Sequence, residues 1–247
     1  MKFQHSFLTL ITWFLLQACN TQYVQTGKQT SSTRIQYDSL KLYDSTAHYF
    51  IAPYKKQLDA QMNVVIGSTQ TTLLKERPEG TLGNLIADAA VWYATKNYPK
   101  PIDVSVMNYG GIRIPSIAAG NITVGKIYEL MPFDNMLDVL EINGTTLNEL
   151  LQLVAANGGW PVAGVQFTIS NNKAVDIMIG GELLQLNKTY TLITSDYIAN
   201  GGDNAVMLKN YSKRTGLNYK LRDAILEYVK SAGQLNMQNN GRITVKP

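Results

Sequence analysis

Four short segments carry the residues best suited to binding chemistry, and two of them follow a predicted strand. The segment NYGGIR (108–113) contains two glycines, which let a ligand approach the backbone closely, and Arg113, whose fixed fork of donors suits phosphate or ribose oxygens. The segment ANGGDN (199–204) contains Asp203, whose carboxylate could accept hydrogen bonds from both hydroxyls of a ribose. Taken alone, each segment is also compatible with a plain turn.

The other two segments supply an aromatic ring and an arginine. In LMPFDN (130–135) a rigid proline presents Phe133, which suits base stacking worth on the order of 1–3 kcal/mol. The alternative is a phenylalanine in the hydrophobic core. Tyr197, just ahead of ANGGDN, could supply the opposing ring. Arg77 precedes a predicted helix whose N-terminal amides favour an anion.

The hydrophobic pattern predicts the elements that must hold these segments. It favours helices over 45–61, 82–98, 124–130, 145–156 and 221–231, and strands over 63–68, 102–107, 136–142, 162–170, 174–179, 182–184, 190–194 and 242–245. Helices and strands alternate irregularly, which indicates an α+β fold rather than regular βαβ winding.

Composition excludes several classes of protein and site. The 247 residues are 45% hydrophobic and 16% charged, which suits one globular domain, or two intimate subdomains, and excludes a disordered chain. A net charge of +4, spread along the chain, does not predict nucleic-acid binding. Cys19 is the single cysteine, so an intramolecular disulfide and a multi-thiolate zinc site are impossible, and His5 and His48 are too few for a histidine-rich metal centre.

The N-terminus has the pattern of a targeting segment. Residues 7–16 form an apolar run of ten, too short to span a bilayer but typical of a signal-peptide core. The ending LQAC resembles the bacterial lipobox, in which the cysteine is lipidated. We therefore predict a lipoprotein signal peptide over 1–18, a lipidated Cys19 with a polar tether over 19–44, and a folded domain over 45–247, anchored in the bacterial cell envelope and facing the periplasm. The alternative is an ordinary cleaved signal with an incidental cysteine.

In combination and in order, the segments resemble the C-terminal, substrate-binding domain of the 5′-nucleotidase and UDP-sugar hydrolase family. The resemblance covers roughly 49–245 and is carried by LGNLIADA (82–89), NYGGIR (108–113), GNITVGKIYELMPFDN (120–135) and DYIANGGDN (196–204). It implies layered mixed β-sheets with flanking helices, and a domain that holds the nucleoside part of a nucleotide.

By motif, the resemblance implies that Phe133 and Tyr197 sandwich the base and that Asn108 makes a polar contact to it. Arg113 would contact ribose and phosphate, and Asp203 would accept the ribose hydroxyls. The full set of implied substrate-binding residues is Arg77, Asn108, Gly111, Arg113, Phe133, Tyr197 and Asp203.

The chain departs from the family pattern at three positions in these segments. Tyr197 stands where phenylalanine is usual, and Tyr109 and Asn204 stand where glycine is common. A tyrosine still stacks and adds a hydroxyl, and asparagine tolerates a left-handed backbone better than most residues. These departures are compatible with base binding but leave the base preference open.

Catalysis in that family belongs to a separate N-terminal metallophosphatase domain with a two-metal centre. Its motifs DxH and GNHD or GNHE do not occur in this sequence. We therefore predict no catalytic residue, metal ligand or cofactor in this chain, and we expect two divalent metals on a partner metallophosphatase.

Three hypotheses follow for the function. In the first, which the binding motifs favour, the chain is the nucleotide- or nucleoside-binding half of a 5′-nucleotidase-type phosphoric monoester hydrolase of nucleotide catabolism. Its catalytic half would then be a separate chain at the same membrane. In the second, the chain is a nucleoside-binding lipoprotein without chemistry. In the third, it is a structural or interaction module that has lost its ligand.

Overall fold

The computed structural model describes residues 30–32 and 44–246 of the chain. Its helices are α1 (Ser45–Met62), α2 (Thr81–Asn97), α3 (Val124–Leu130), α4 (Gly144–Ala156), α5 (Asp196–Ala199) and α6 (Leu221–Ala232). Its strands are β1 (Val65–Thr69), β2 (Leu73–Leu74), β3 (Val104–Val106), β4 (Ser116–Ile117), β5 (Gly120–Thr123), β6 (Met136–Asn143), β7 (Val162–Ala163), β8 (Val165–Ser170), β9 (Lys173–Ile179), β10 (Glu182–Leu183), β11 (Thr189–Ser195), β12 (Lys213–Lys220), β13 (Gln234–Leu235) and β14 (Ile243–Val245).

A five-stranded mixed sheet with the order β12-β6-β11-β3-β7 forms the centre of the compact unit Phe50–Pro247. Strand β11 is parallel to β3 and antiparallel to β6. Smaller sheets have the orders β10-β9-β8-β14, β13-β1-β5 and β2-β4. Every residue of β11 after the first is buried, as expected for a central strand covered on both faces.

Two hydrophobic cores lie on opposite faces of the central sheet. On β6, Leu137 and Val139 pack into a core with residues of α2 and α6, whereas Leu140 and Ile142 pack into a core with residues of α4. The division follows the two-residue period of a strand, which sends successive side chains to opposite faces. This arrangement confirms the predicted α+β fold with layered mixed sheets and flanking helices.

The predicted helices agree with the structure to within one residue at each end. The predicted strand over 162–170 is wrong in one respect, because it is interrupted at Gly164 (φ +74°), where a Cβ would lie 2.0 Å from the Asp103 carbonyl oxygen. Strand β12 was not predicted, because its sequence KRTGLNYK is mostly polar and, at the sheet edge, none of its residues is fully buried.

The predicted signal peptide and the lipidation site at Cys19 lie outside the described residues. Among the helices that the structure describes, none combines the length and the apolar character that crossing a membrane requires.

Candidate functional site

The central sheet brings three of the four sequence segments to one edge. Strands β3 and β11 are parallel, with Leu192 opposite Val104, so the residues that follow both strands emerge on the same side. Strand β6 is antiparallel to β11, with Leu137 opposite Ser195, so the residues that precede β6 arrive at that side too. NYGGIR, LMPFDN and ANGGDN are therefore neighbours in the fold, although they lie far apart in the sequence.

A pocket of about 380 Å³ opens where the three segments meet. It is lined by Asn108, Gly110, Gly111, Arg113, Phe133, Asn135, Tyr197 and Asp203. The structure thus gathers every predicted substrate-binding residue except Arg77. Phe133 is 37% exposed and Tyr197 is 43% exposed, so both rings present surface to the pocket and Phe133 is not a core residue.

Asp203 is the polar centre of this pocket, and both of its carboxylate oxygens are hydrogen-bonded. The Tyr197 hydroxyl donates to Oδ1 at 2.9 Å, and Asn108 Nδ2 donates to Oδ2 at 2.8 Å. The bond to Asp203 is the main reason that the pKa of Tyr197 is raised, with partial burial second. Asp203 has a left-handed backbone (φ 49°, ψ 36°), a strained conformation of the kind that clusters at binding sites.

The ring of Tyr197 is positioned by its own short helix, α5. The Ser195 side chain caps this helix by accepting from the Ile198 amide at 3.3 Å. The Asp196 carboxylate accepts from the backbone amides of Tyr197 at 2.8 Å and Met136 at 3.1 Å, which ties α5 to the start of β6. These hydrogen bonds fix the backbone position from which the Tyr197 side chain extends.

The segment that carries Phe133 is held by a buried arginine from α6. Arg222 donates to the Phe133 carbonyl oxygen at 3.1 Å and pairs with Asp134 at 2.6 Å, and its guanidinium lies 4.3 Å from the centre of the Tyr128 ring. Hydrogen bonds from Lys220 and Arg222 lower the pKa of Asp134. Phe133 is therefore presented by a loop with fixed backbone partners.

Three cations lie at and beside the pocket. The Arg113 guanidinium is 5.4 Å from the centre of the Phe133 ring. The Arg77 guanidinium lies 4.1 Å and Lys75 Nζ 4.3 Å from the centre of the Tyr109 ring, in a cavity that adjoins the Asn108–Gly110 turn. Burial lowers the pKa of Lys75 most, and the charges of Arg113 and Arg77 lower it further.

Within the part of the chain that the structure describes, none of these cations forms an ion pair with a carboxylate. Lys75 donates to the Ile112 carbonyl oxygen at 2.8 Å, and Arg113 donates to that of Gly110 at 3.4 Å. No carboxylate among the described residues balances their positive charge, an arrangement suited to an anionic ligand.

Residues 60–210, more than half of the chain, match the family described as 5′-nucleotidase, C-terminal domain. The chain belongs to this family. It is 28% identical over 228 residues to a 5′-nucleotidase of Vibrio vulnificus, and the match covers 87% of this chain and 40% of the relative. It is 25% identical over 246 residues to protein UshA of Escherichia coli, and the match covers 96% of this chain and 43% of that protein.

The fold of this 5′-nucleotidase C-terminal domain also matches solved structures. A 5′-nucleotidase precursor from Thermus thermophilus is 29% identical with a TM-score of 0.71, over 83% of this chain and 44% of that one. The NAD nucleotidase of Haemophilus influenzae is 18% identical with a TM-score of 0.64, over 83% of this chain and 42% of that one, which shows a shared fold. The chain spans about two fifths of the length of the curated relatives it matches.

Sequence reasoning missed two residues of this 5′-nucleotidase C-terminal domain site. Lys75 stands in a polar stretch, and only the fold brings it to Ile112, thirty-seven positions away. Tyr109 stood out only as a bulky residue in a glycine-rich loop, whereas the structure uses its ring to contact two cations. Arg77 lies on this ring rather than in the pocket that holds the other predicted residues.

Over residues 30–32 and 44–246, no three His, Cys, Asp or Glu side chains come together as a metal centre requires. The described residues therefore offer no site for the two divalent metals that we expect on a partner, and no chemical step through a metal is assigned to them.

Proposed function

We propose that this chain is the nucleotide-binding half of a 5′-nucleotidase-type phosphohydrolase of nucleotide catabolism. The observation that carries the proposal is the meeting of two half-exposed rings, a carboxylate and Arg113, which has no carboxylate partner among the described residues, at one sheet edge. The rings match the apolar face of the base, the carboxylate matches the ribose diol, and the positive charge matches the phosphate.

The pocket offers each part of a nucleotide a separate contact. The base would lie between Phe133 and Tyr197, where stacking on a ring is worth on the order of 1–3 kcal/mol. The ribose would donate to Asp203, and the phosphate would lie beside Arg113, whose planar guanidinium presents a fixed fork of donors. Arg77, whose guanidinium lies over the Tyr109 ring beside the pocket, would extend the positive field that attracts the phosphate.

The proposal assigns hydrolysis to a metallophosphatase on a separate chain, which would carry the two divalent metals. This chain would bind and orient the nucleotide, and its partner would perform the attack on phosphorus. A lipid anchor at Cys19, if both halves share one membrane facing the periplasm, would raise their effective concentration and favour assembly.

Helix α1 supports the existence of a partner. Phe50, Tyr54 and Leu58 recur every four residues, so they share one face of the helix, and they are 71%, 65% and 53% exposed. No residue of α1 is buried. An exposed apolar stripe of this kind is typical of a protein-interaction surface.

Calorimetric titration of the purified chain with adenosine and AMP tests the binding half of the proposal. We expect both ligands to bind, with no release of phosphate whether EDTA or divalent metal is present. Binding without any partner in the cell would favour the nucleoside-binding lipoprotein instead. Failure of both ligands to bind would favour a structural or interaction module.

Mass spectrometry of proteins captured from envelope extracts tests the separate chain. We expect a metallophosphatase to be captured by the wild-type chain, and AMP hydrolysis to appear when the two are mixed. The variant Tyr54→Glu/Leu58→Glu should lose the partner while still binding adenosine, because α1 contributes no residue to the pocket. Capture that this variant leaves intact would remove α1 from the interface.

A further inference from the structure

Three cations lie close together beside the pocket, so their mutual repulsion must be offset by other groups of the protein. Burial lowers the pKa of Lys75 most, and the charges of Arg113 and Arg77 lower it further. None of the three pairs with a carboxylate among the described residues. Two of them share one neutral partner, since the centre of the Tyr109 ring lies 4.3 Å from Lys75 Nζ and 4.1 Å from the Arg77 guanidinium.

The Tyr109 ring holds these cations without cancelling their charge. Within the described residues, Arg77 has neither an ion pair nor a hydrogen bond, and the ring is the one group that contacts its guanidinium as a partner. Lys75 has a second contact, because its Nζ also donates to the Ile112 carbonyl oxygen at 2.8 Å. The quadrupole of an aromatic ring attracts a cation over its face. A carboxylate in the same place would compete with an anionic ligand, whereas the ring adds no negative charge.

We propose that Tyr109 is a positioning residue that holds Arg77 and Lys75 beside the pocket and keeps their positive charge available to the phosphate. The inference rests on the proposed nucleotide-binding function and adds to it a residue that favours nucleotides over nucleosides. Tyr109 would act through the two cations and not on the ligand itself, because it is not among the residues that line the pocket. The departure from glycine at this position would then serve the recognition of phosphate.

The position of the Tyr109 ring is itself well defined. The ring is partly buried and packs against the hydrophobic core on the α4 side of the central sheet. Tyr109 begins a short 3-10 turn, in which its carbonyl oxygen accepts from the Ile112 amide at 3.3 Å. Its neighbours Asn108 and Gly110 line the pocket, so the ring is attached directly to the pocket wall.

The test is calorimetric titration of the full chain with AMP and adenosine, because the ratio of the two affinities measures the contribution of the phosphate. Tyr109→Leu removes the ring but leaves an apolar side chain to pack against the core. In this variant we expect AMP to bind about three- to tenfold more weakly, while adenosine changes by less than about twofold. Tyr109→Phe should retain the wild-type ratio, because the Tyr109 hydroxyl makes no hydrogen bond within the described residues.

The effect of the ring should disappear when the two cations are absent. In the background Lys75→Met/Arg77→Met, adding Tyr109→Leu should leave the AMP affinity unchanged, because an effect that passes through the cations is not additive with their loss. A merely structural role would lower the AMP and adenosine affinities together and would persist in this background. Either of those results overturns the inference.

Tyr211→Leu is the control for the loss of a tyrosine, because Tyr211 is 42% exposed and no Lys or Arg lies over its ring within the described residues. Its ratio should equal that of the wild type. If Tyr109→Leu does not fold, Arg77→Met replaces it: a loss of AMP affinity of about threefold or more supports the inference, and an unchanged affinity overturns it. A ratio that Tyr109→Leu leaves unchanged overturns the inference alone. Failure of the wild type to bind either ligand overturns the proposed function as well.

Discussion

Replacing Arg113 by methionine should separate the recognition of phosphate from the recognition of the nucleoside. Methionine retains an unbranched apolar stem, so the contact with the Phe133 ring is partly preserved while the charge is lost. The Arg113 guanidinium lies 5.4 Å from the centre of the ring that would stack the base, and the proposed function places the phosphate beside it. Its lack of a carboxylate partner in the described part of the chain leaves its donors available.

The magnitude follows from the chemistry of that contact. A hydrogen bond between charged groups contributes about 1.5–3 kcal/mol, and every 1.4 kcal/mol is tenfold in Kd. AMP should therefore bind on the order of 10- to 100-fold more weakly to Arg113→Met, whereas adenosine should change by less than about threefold. Raising the salt concentration should weaken AMP binding more in the wild type than in the variant. Salt screens the charge of Arg113, and the variant lacks that charge.

Calorimetric titration of both proteins with both ligands measures the difference directly. Lys173→Met, which removes an exposed cation at the start of β9, is the control for net charge and should leave both affinities unchanged. Equal losses of AMP and adenosine affinity would refute the reasoning, since Arg113 would then act on the sugar, the base or the shape of the loop.

Three further predictions follow from the same geometry. Phe133→Ala should weaken adenosine binding by about 1–3 kcal/mol with little change in Tm, since Phe133 is 37% exposed. The control Phe167→Ala, which truncates a side chain of the hydrophobic core, should instead lower the free energy of unfolding by about 3–5 kcal/mol. Equal losses of Tm in the two variants would contradict the placement of Phe133 in the pocket rather than in the core. AMP affinity should fall as the pH rises through the pKa of Lys75, which lies below 10.5, because the ammonium that attracts the anion is lost. Lys75→Met should abolish that step, and a titration with the same pH dependence in both proteins would exclude Lys75. Gly202→Ala should weaken adenosine binding, since its Cβ would displace the Tyr197 ring, 2.6 Å away; unchanged binding in calorimetry would show that the ring has room.

The fold was largely predictable because its buried elements have strong hydrophobic patterns. The run TYTLITS is almost wholly buried as β11, and α2 buries the apolar face that its sequence predicts. Strand β12 has no such pattern, because it lies at the edge, where its residues are at most partly buried. Its pairing with β6 depends on the rest of the sheet and cannot be read from local sequence.

The site was predictable in its members but not in its connections. Phe133 and Asp203 belong to distinctive segments, and the antiparallel pairing of β6 with β11 brings these two segments together. Nothing in the sequence indicates that the Tyr197 hydroxyl would bind Asp203, or that Lys75 would approach Arg113. These are contacts between residues on different loops, and they depend on side-chain packing after the sheet has formed.

The rings of the pocket are half exposed, whereas the groups that position them are buried or hydrogen-bonded. Arg222, 6% exposed, fixes the backbone of Phe133, and Asp196 fixes that of Tyr197. The entropy of ordering both loops is thus lost when the domain folds, so less of the stacking energy is consumed on binding. Because every one of these contacts lies within one compact unit, nucleoside affinity should be a property of this chain alone. A catalytic partner would then change the rate of phosphate release and leave the Kd for adenosine nearly constant.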